Sequence, residues 1–112
     1  AGVTYAPQIK KEDGIIDWAQ DAESIERLVR AFTPWPGTST SWKGQPLKVR
    51  SGRAAAGNAE LGRVVSTPNG IAVGTGDGLF VLKEIQLAGR KAMPAEEFVK
   101  GQADFIGGAL LA

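Results

Sequence analysis

The side chains that most often carry out catalysis are missing from this 112-residue sequence. It contains no cysteine, which excludes thiolate nucleophiles, disulfides and zinc–cysteine sites. It also contains no histidine, which removes the commonest proton shuttle near neutral pH and the commonest metal ligand. Carboxylates are therefore the remaining side chains with an obvious capacity for acid–base chemistry.

The carboxylates do not form a convincing reaction centre. The closest pairs, Glu12/Asp13 and Glu96/Glu97, are sequence neighbours, and adjacent residues on a helix do not face each other. The glycine-rich segment 75–78 lacks the Lys and Ser/Thr that follow a phosphate-binding loop, and strand-like runs flank it. We interpret this segment as a hairpin turn.

Basic side chains offer clearer chemistry, because they bind phosphate groups. The net charge is only +1, but residues 43–63 hold five bases against one acid, a local charge of +4. Such side chains contact a polyanion's backbone without choosing its sequence. A solvated strand face is the alternative interpretation. The candidates for phosphate contacts are Lys10, Lys11, Arg27, Arg30, Lys48, Arg50, Arg53, Arg90 and Lys91.

These nine candidates are not equivalent. Arg27 and Arg30 each have a glutamate four residues earlier, so ion pairs on one helix face are expected to occupy them. The adjacent pairs at 10–11 and 90–91 have no such partner, so we rank them higher.

Three tryptophans could stack on nucleic-acid bases. Trp18, Trp35 and Trp42 each lie beside an apolar or proline-rich segment. We therefore interpret them as core residues.

The clearest helix is predicted over residues 21–32. Asp21 is a suitable N-cap, although the glutamate of a full capping box is absent three residues later. One apolar stripe follows at helical spacing, consisting of Ala22, Ile25, Leu28, Val29 and Phe32. Pro34 ends the pattern.

The remainder of the chain favours a sheet. Strand patterns are predicted at residues 39–42, 47–53, 61–67, 71–74 and 79–87, with a bulge at Gly52 and a short helix at 95–100. Five short antiparallel strands suit a small closed or partly closed barrel, because closure removes exposed edges. We expect a mainly β, small OB-like antiparallel β-barrel with one N-terminal helix and a short C-terminal helix.

Several segments together resemble the methionyl-tRNA formyltransferase family. They are TYAPQI at 4–9, EDG at 12–14, IDW at 16–18, IERLVRAFTPWPG at 25–37, AVGTGDG at 72–78 and LAGRKAM at 87–93. Thr33, Gly74 and Arg90 stand where the family more often has Asn, Ala and Lys. The combination covers residues 3–101 and is specific, although no single segment is.

The resemblance implies the C-terminal domain of that enzyme, with an OB-like β-barrel. The whole enzyme moves a formyl group from 10-formyltetrahydrofolate to initiator methionyl-tRNA during translation initiation in the cytoplasm. The family's catalytic Asn, His and Asp, and its folate site, belong to the preceding N-terminal domain, so this domain is expected to be non-catalytic and to hold no cofactor or metal. The family also implies that this domain and its linker hold the tRNA backbone on a positive face.

The expected organisation is an interdomain linker at 1–17, a tRNA-binding domain at 18–101 and a flexible tail at 102–112. No run of about 18 apolar residues predicts a membrane span. The chain starts without Met or a signal peptide, which we interpret as a cut end.

Two other interpretations remain open. One is a structural C-terminal domain of another formyltransferase, such as one acting on a nucleotide-linked sugar. The other is a free-standing OB-type module.

Overall fold

The computed structural model describes residues 14–32 and 37–110. It is mainly β, with one helix near each end, and this confirms the predicted fold class. The elements are α1 (Ala22–Phe32), β1 (Thr38–Trp42), β2 (Gln45–Ala55), β3 (Val64–Thr67), β4 (Gly70–Gly74), β5 (Leu79–Leu87), β6 (Met93–Pro94) and α2 (Ala95–Gly101), followed by a short 3₁₀ helix at Ala103–Phe105.

The strands form one antiparallel sheet in the order β1-β2-β5-β4-β3. β5 is long and lies in the centre of the sheet. β2 pairs along one of its edges, whereas β4 pairs with the first half and β6 with the second half of its other edge. Within residues 14–32 and 37–110, no strand ladder joins β1 to β3. The sheet is therefore open rather than closed into the expected barrel.

Short segments cover both open edges. At the β1 edge, the Ile16 amide donates to the Ser39 carbonyl at 2.9 Å. At the β3 edge, the Val64 amide donates to the Gly108 carbonyl at 2.9 Å, and the Gly107 amide donates back to the Val64 carbonyl at 2.7 Å. These bonds satisfy backbone groups that an edge strand would otherwise leave unpaired.

α1 forms as its sequence predicts. The Asp21 carboxylate accepts from the Ser24 amide at 3.1 Å and from the Ser24 hydroxyl at 2.7 Å, which caps the first turn. These two hydrogen bonds lower the pKa of Asp21, because they favour its charged form. The predicted stripe packs on the sheet, with Ala22, Ile25 and Val29 buried.

A register shift divides β2 into two halves. It lies between Val49 and Gly52, where the sequence predicts a bulge. A side chain at Gly52 would collide with the core, because an added Cβ would lie 2.4 Å from Phe80 Cζ. In a regular strand, residues five positions apart lie on opposite faces. The register shift reverses this alternation of faces, so that Lys48 and Arg53 are both exposed.

The main core lies between α1, the sheet and α2, and it includes two of the three tryptophans. Trp18 is buried, and its indole N–H donates to Thr40 Oγ1 at 3.0 Å. Trp42 is also buried and meets Phe98 and Phe105 edge-on, with ring centroids 5.5 and 5.3 Å away. The core interpretation of these two residues is confirmed, whereas Trp35 lies outside the described residues.

The core extends on both sides of the predicted domain. Ile16 lies in the segment predicted as linker, and Phe105 and Leu110 lie in the segment predicted as a tail, yet all three are buried. The boundaries themselves and the mobility of residues 102–112 stay predictions.

Candidate nucleic-acid interface

The turn after β5 presents two of the basic candidates. The Ala88 amide donates to the Pro46 carbonyl at 3.0 Å, and the Arg90 amide donates to the Leu87 carbonyl at 2.9 Å. Gly89 has a φ of 78°, which a residue with a side chain rarely adopts. The backbone of this turn is therefore held in place while Arg90 and Lys91 are exposed.

Lys48 belongs to the same end of the sheet. It is exposed between buried Leu47 and Val49, and it is the cross-strand partner of Gln86. Cross-strand partners present their side chains on the same face. The Gln86 side-chain amide donates to the Arg90 carbonyl at 2.8 Å, so the turn and Lys48 meet around this glutamine.

A shallow depression of about 230 Å³ lies between Lys48 and the turn. Its lining consists of Pro46, Lys48, Gln86, Leu87, Ala88 and Gly89. We call this depression, with Lys48, Arg90 and Lys91, the turn patch. No described residue forms an ion pair with any of its three basic side chains.

Arg50 and Arg53 continue the exposed face of β2 away from the turn patch. Arg50 Nε lies 3.2 Å from a carboxylate oxygen of Glu84 on β5, so its charge already has a partner. Arg53 pairs in register with Val81 and is exposed, with no ion-pair partner among the described residues.

The basic residues of α1 are engaged locally. Arg27 donates to Ser24 Oγ at 3.1 Å rather than pairing with Glu23 as expected. Arg30 pairs with Glu26 across 3.7 Å, as expected. Glu26 also accepts the Ala54 amide of β2 at 2.7 Å, a contact that links the helix to the sheet and that no sequence pattern indicated.

Four basic residues outside the candidate set also reach the surface. Lys43 pairs with Asp104 and lies 4.9 Å from the centre of the Trp42 ring. Arg63 donates to the Gly107 carbonyl at 2.6 Å and to Glu60 at 3.1 Å. Lys100 lies 3.0 Å from Glu97. These three residues each have a carboxylate partner.

Lys83 is the fourth of these residues and has no described ion-pair partner. It lines a depression of about 160 Å³ together with residues that include Asn69 and Glu96. Lys83 directly follows the apolar run 79–82 in the sequence. Because burying a charged side chain costs a large free energy, this position could have indicated an exposed cation.

The sequence analysis also predicted a hairpin turn at residues 75–78. Segment 75–78 connects antiparallel β4 to β5, which confirms the hairpin interpretation. No group of three metal-ligating side chains occurs in the described part of the chain. Lys10 and Lys11 lie outside it. No helix among residues 14–32 and 37–110 is long and apolar enough to cross a membrane.

A comparison with known protein families identifies the family of this chain. The sequence profile described as "Formyl transferase, C-terminal domain" matches residues 8–103. The chain belongs to this formyl transferase C-terminal domain family. The match confirms the family assignment made from the sequence segments.

Curated relatives of this formyl transferase C-terminal domain are methionyl-tRNA formyltransferases. The relative from Roseiflexus castenholzii is 44% identical over 104 residues, covering 90% of this chain and 33% of the relative. The relative from Magnetococcus marinus is 42% identical over 101 residues, covering 89% and 32%. The chain thus spans about a third of the length of the relatives it matches.

Solved structures share the fold of this formyl transferase C-terminal domain. HypX from Aquifex aeolicus, in a multiply substituted variant, superposes with a TM-score of 0.72 at 19% identity, covering 90% of this chain and 19% of HypX. HypX in complex with tetrahydrofolic acid gives a TM-score of 0.70 at 20% identity, covering 89% and 18%. At this identity the likeness shows the fold.

Proposed function

We propose that this formyl transferase C-terminal domain holds tRNA for a methionyl-tRNA formyltransferase. The observation that carries the proposal is the 44% identity to such an enzyme across 90% of the chain. The exposed basic side chains of β2 and of the turn after β5 supply a suitable surface for a polyanion. The relatives named above act on methionyl-tRNA by name, which favours tRNA over a nucleotide-linked sugar.

In this proposal, the full-length enzyme transfers a formyl group from 10-formyltetrahydrofolate to the amino group of initiator methionyl-tRNA in the cytoplasm. The N-terminal catalytic domain of the same chain binds the folate and performs the transfer. The tetrahydrofolic acid bound by HypX accords with a folate donor for such enzymes. The domain described here contributes no group to the bond-making step and binds no cofactor.

Remote contacts have a clear physical role in such a reaction. The methionine amino group must lie within bonding reach of the formyl donor, and the tRNA that carries it is large and highly charged. Backbone contacts far from the reaction centre position the acceptor end and turn binding energy into proximity. Lys and Arg side chains suit this task, because they bind phosphates regardless of base sequence.

Steady-state kinetics of the full-length enzyme test the proposal. Lys10, Lys11 and Lys91 are reversed to Glu together, and kcat/KM is measured separately for methionyl-tRNA and for the formyl donor. We expect kcat/KM for methionyl-tRNA to fall, because phosphate contacts are lost, while kcat/KM for the formyl donor stays unchanged. The matched control reverses Lys43, Arg63 and Lys100, which already have carboxylate partners.

Thermal unfolding of each variant separates a binding effect from loss of the fold. An unchanged kcat/KM for methionyl-tRNA in the Lys10/Lys11/Lys91 variant would contradict the tRNA-holding role. An equal fall in the folded control variant would show that overall charge, rather than this surface, matters.

A further inference from the structure

We infer that the turn patch is the main phosphate-binding site of this domain. We also infer that its depression receives a ribose or a base edge of the tRNA next to those phosphates. The inference rests on the proposed function and identifies the part of the surface that performs it. It separates three unpaired candidates near one turn from candidates that a carboxylate already engages; Arg53 is also unpaired but lies farther along β2.

The first support is the availability of charge. Lys48, Arg90 and Lys91 form no ion pair with any described residue, whereas Arg30 and Arg50 each lie within 4 Å of a carboxylate. A cation that already has a carboxylate partner gains less from a phosphate, because the phosphate must compete with that partner. Free cations release more bound counterions from RNA when they make contact.

The second support is convergence on one spot. Lys48 comes from β2, and Arg90 and Lys91 come from the turn about 40 residues later in the chain. The register pairs Lys48 with Gln86, and Gln86 bonds to the Arg90 carbonyl. Paired strand residues have Cα atoms only about 4.5–5.5 Å apart. Lys48 and the turn that carries Arg90 and Lys91 therefore lie beside each other at one end of the sheet.

The third support is the shape between the charges. The depression has a volume of about 230 Å³ and includes the apolar atoms of Pro46, Leu87 and Ala88. Pockets that enclose a small-molecule ligand are larger, at about 300–1,000 Å³. A shallow apolar surface bordered by cations suits one sugar or base edge of a longer strand, with phosphates on either side.

The fourth support is the rigidity of the turn. Both the Ala88 and Arg90 amides are hydrogen-bonded to neighbouring carbonyls, and the Arg90 carbonyl accepts from Gln86. The backbone is thus set before the partner arrives, and only side chains need to be ordered on binding. This lowers the entropic cost of association.

Direct titration of the 112-residue chain with methionyl-tRNA tests the inference, with affinity measured by fluorescence anisotropy between about 50 and 200 mM salt. One variant replaces Lys48, Arg90 and Lys91 with Gln. The matched variant replaces Arg30, Arg50 and Lys100 with Gln, which removes the same charge from cations that already have carboxylate partners. Circular dichroism checks that both variants fold.

The two variants are expected to differ in the salt dependence of binding. Log K falls as log salt rises, and each lost phosphate contact reduces the magnitude of this slope by about 1. The magnitude should therefore be about 2–3 smaller for the turn-patch variant. The matched variant should lower it by less than about 1. Equal losses in the two variants, or no loss in the turn-patch variant, would overturn the inference while leaving the proposed function in place.

A charge-neutral variant tests the depression itself. Ala88 is exposed, so Ala88→Leu fills the depression without disturbing the core. We expect weaker tRNA binding with an unchanged salt slope, and an unchanged affinity would overturn the role assigned to the depression. If the wild-type chain shows no salt-dependent tRNA binding, the proposed function fails together with the inference.

Discussion

α1 and the turn patch both present basic side chains, but they differ in what surrounds those charges. On α1, Arg27 and Arg30 contact Ser24 and Glu26 of the same helix, and the opposite helix face is buried in the core. In the turn patch, the backbone is fixed by hydrogen bonds and the cations have no described ion-pair partner. The basic side chains of α1 are therefore engaged within the helix, whereas those of the turn patch are available to a ligand.

β2 connects these two regions. Its first half carries Lys48 of the turn patch, and its second half reaches Ala54, whose amide bonds to Glu26 of α1. Changes to α1 should therefore alter the free energy of unfolding, whereas changes to the turn patch should alter RNA binding. The following predictions test that division.

The largest effect is expected at the buried face of α1. Ile25 is fully buried in the main core, so Ile25→Ala leaves a cavity and should cost about 2–5 kcal/mol of unfolding free energy. Lys91→Ala in the turn patch should change stability by less than about 0.5 kcal/mol, because the residue is exposed. Urea unfolding of both variants measures the difference, and similar losses would contradict the division between the two regions.

The second effect concerns the point on β2 where the two regions meet. Gly52→Ala would place a Cβ 2.4 Å from Phe80 Cζ and 2.6 Å from the Val81 carbonyl oxygen, so we expect a loss of about 1–3 kcal/mol. Gly101→Ala is the control, since a Cβ added there would have no described atom within 4 Å and Ala favours a helix. Chemical unfolding should separate the two variants. A neutral Gly52→Ala would show that the strand adapts without strain.

The contact between α1 and β2 predicts a smaller effect. Glu26→Ala removes the acceptor of the Ala54 amide, which should cost about 1 kcal/mol. Glu26→Gln retains an acceptor oxygen and loses only the exposed pair with Arg30, worth less than about 1 kcal/mol. Unfolding free energies of the two variants should therefore differ. Equal losses would assign the stabilisation to the ion pair instead of the amide contact.

Local sequence patterns predicted the elements that depend on neighbours in the chain. The apolar stripe predicted α1, and the run 79–87 predicted β5 with the bounds that the structure shows. The signals are local because a helix face repeats every three or four residues and a strand ends where turn residues begin. The nine basic candidates were identified by residue type and by their neighbours in the sequence.

Contacts between distant segments could not be predicted in the same way. Lys48 and Arg90 meet only because the β2–β5 register pairs Lys48 with Gln86, and no local pattern fixes that register. Phe105 and Leu110 follow a polar and glycine-rich stretch typical of a tail, yet both are buried in the core. The open sheet likewise depends on edge-covering segments, which carry no strand pattern of their own.

The smallest predicted effect is a pH dependence that belongs to α1 alone. Two hydrogen bonds from Ser24 to the Asp21 carboxylate, its side-chain bond before its amide bond, lower the pKa of Asp21 in the folded chain. Its contribution to stability is therefore fully present above the unfolded pKa of about 3.9 and is lost as the pH falls through the lower, folded value. Asp21→Asn keeps an acceptor without the charge, so urea unfolding of this variant should depend less steeply on pH in that acidic window. Parallel pH profiles of the two proteins would mean that the cap acts through its geometry and not through its charge, and α1 would then owe its stability to the buried stripe and the Glu26 contact.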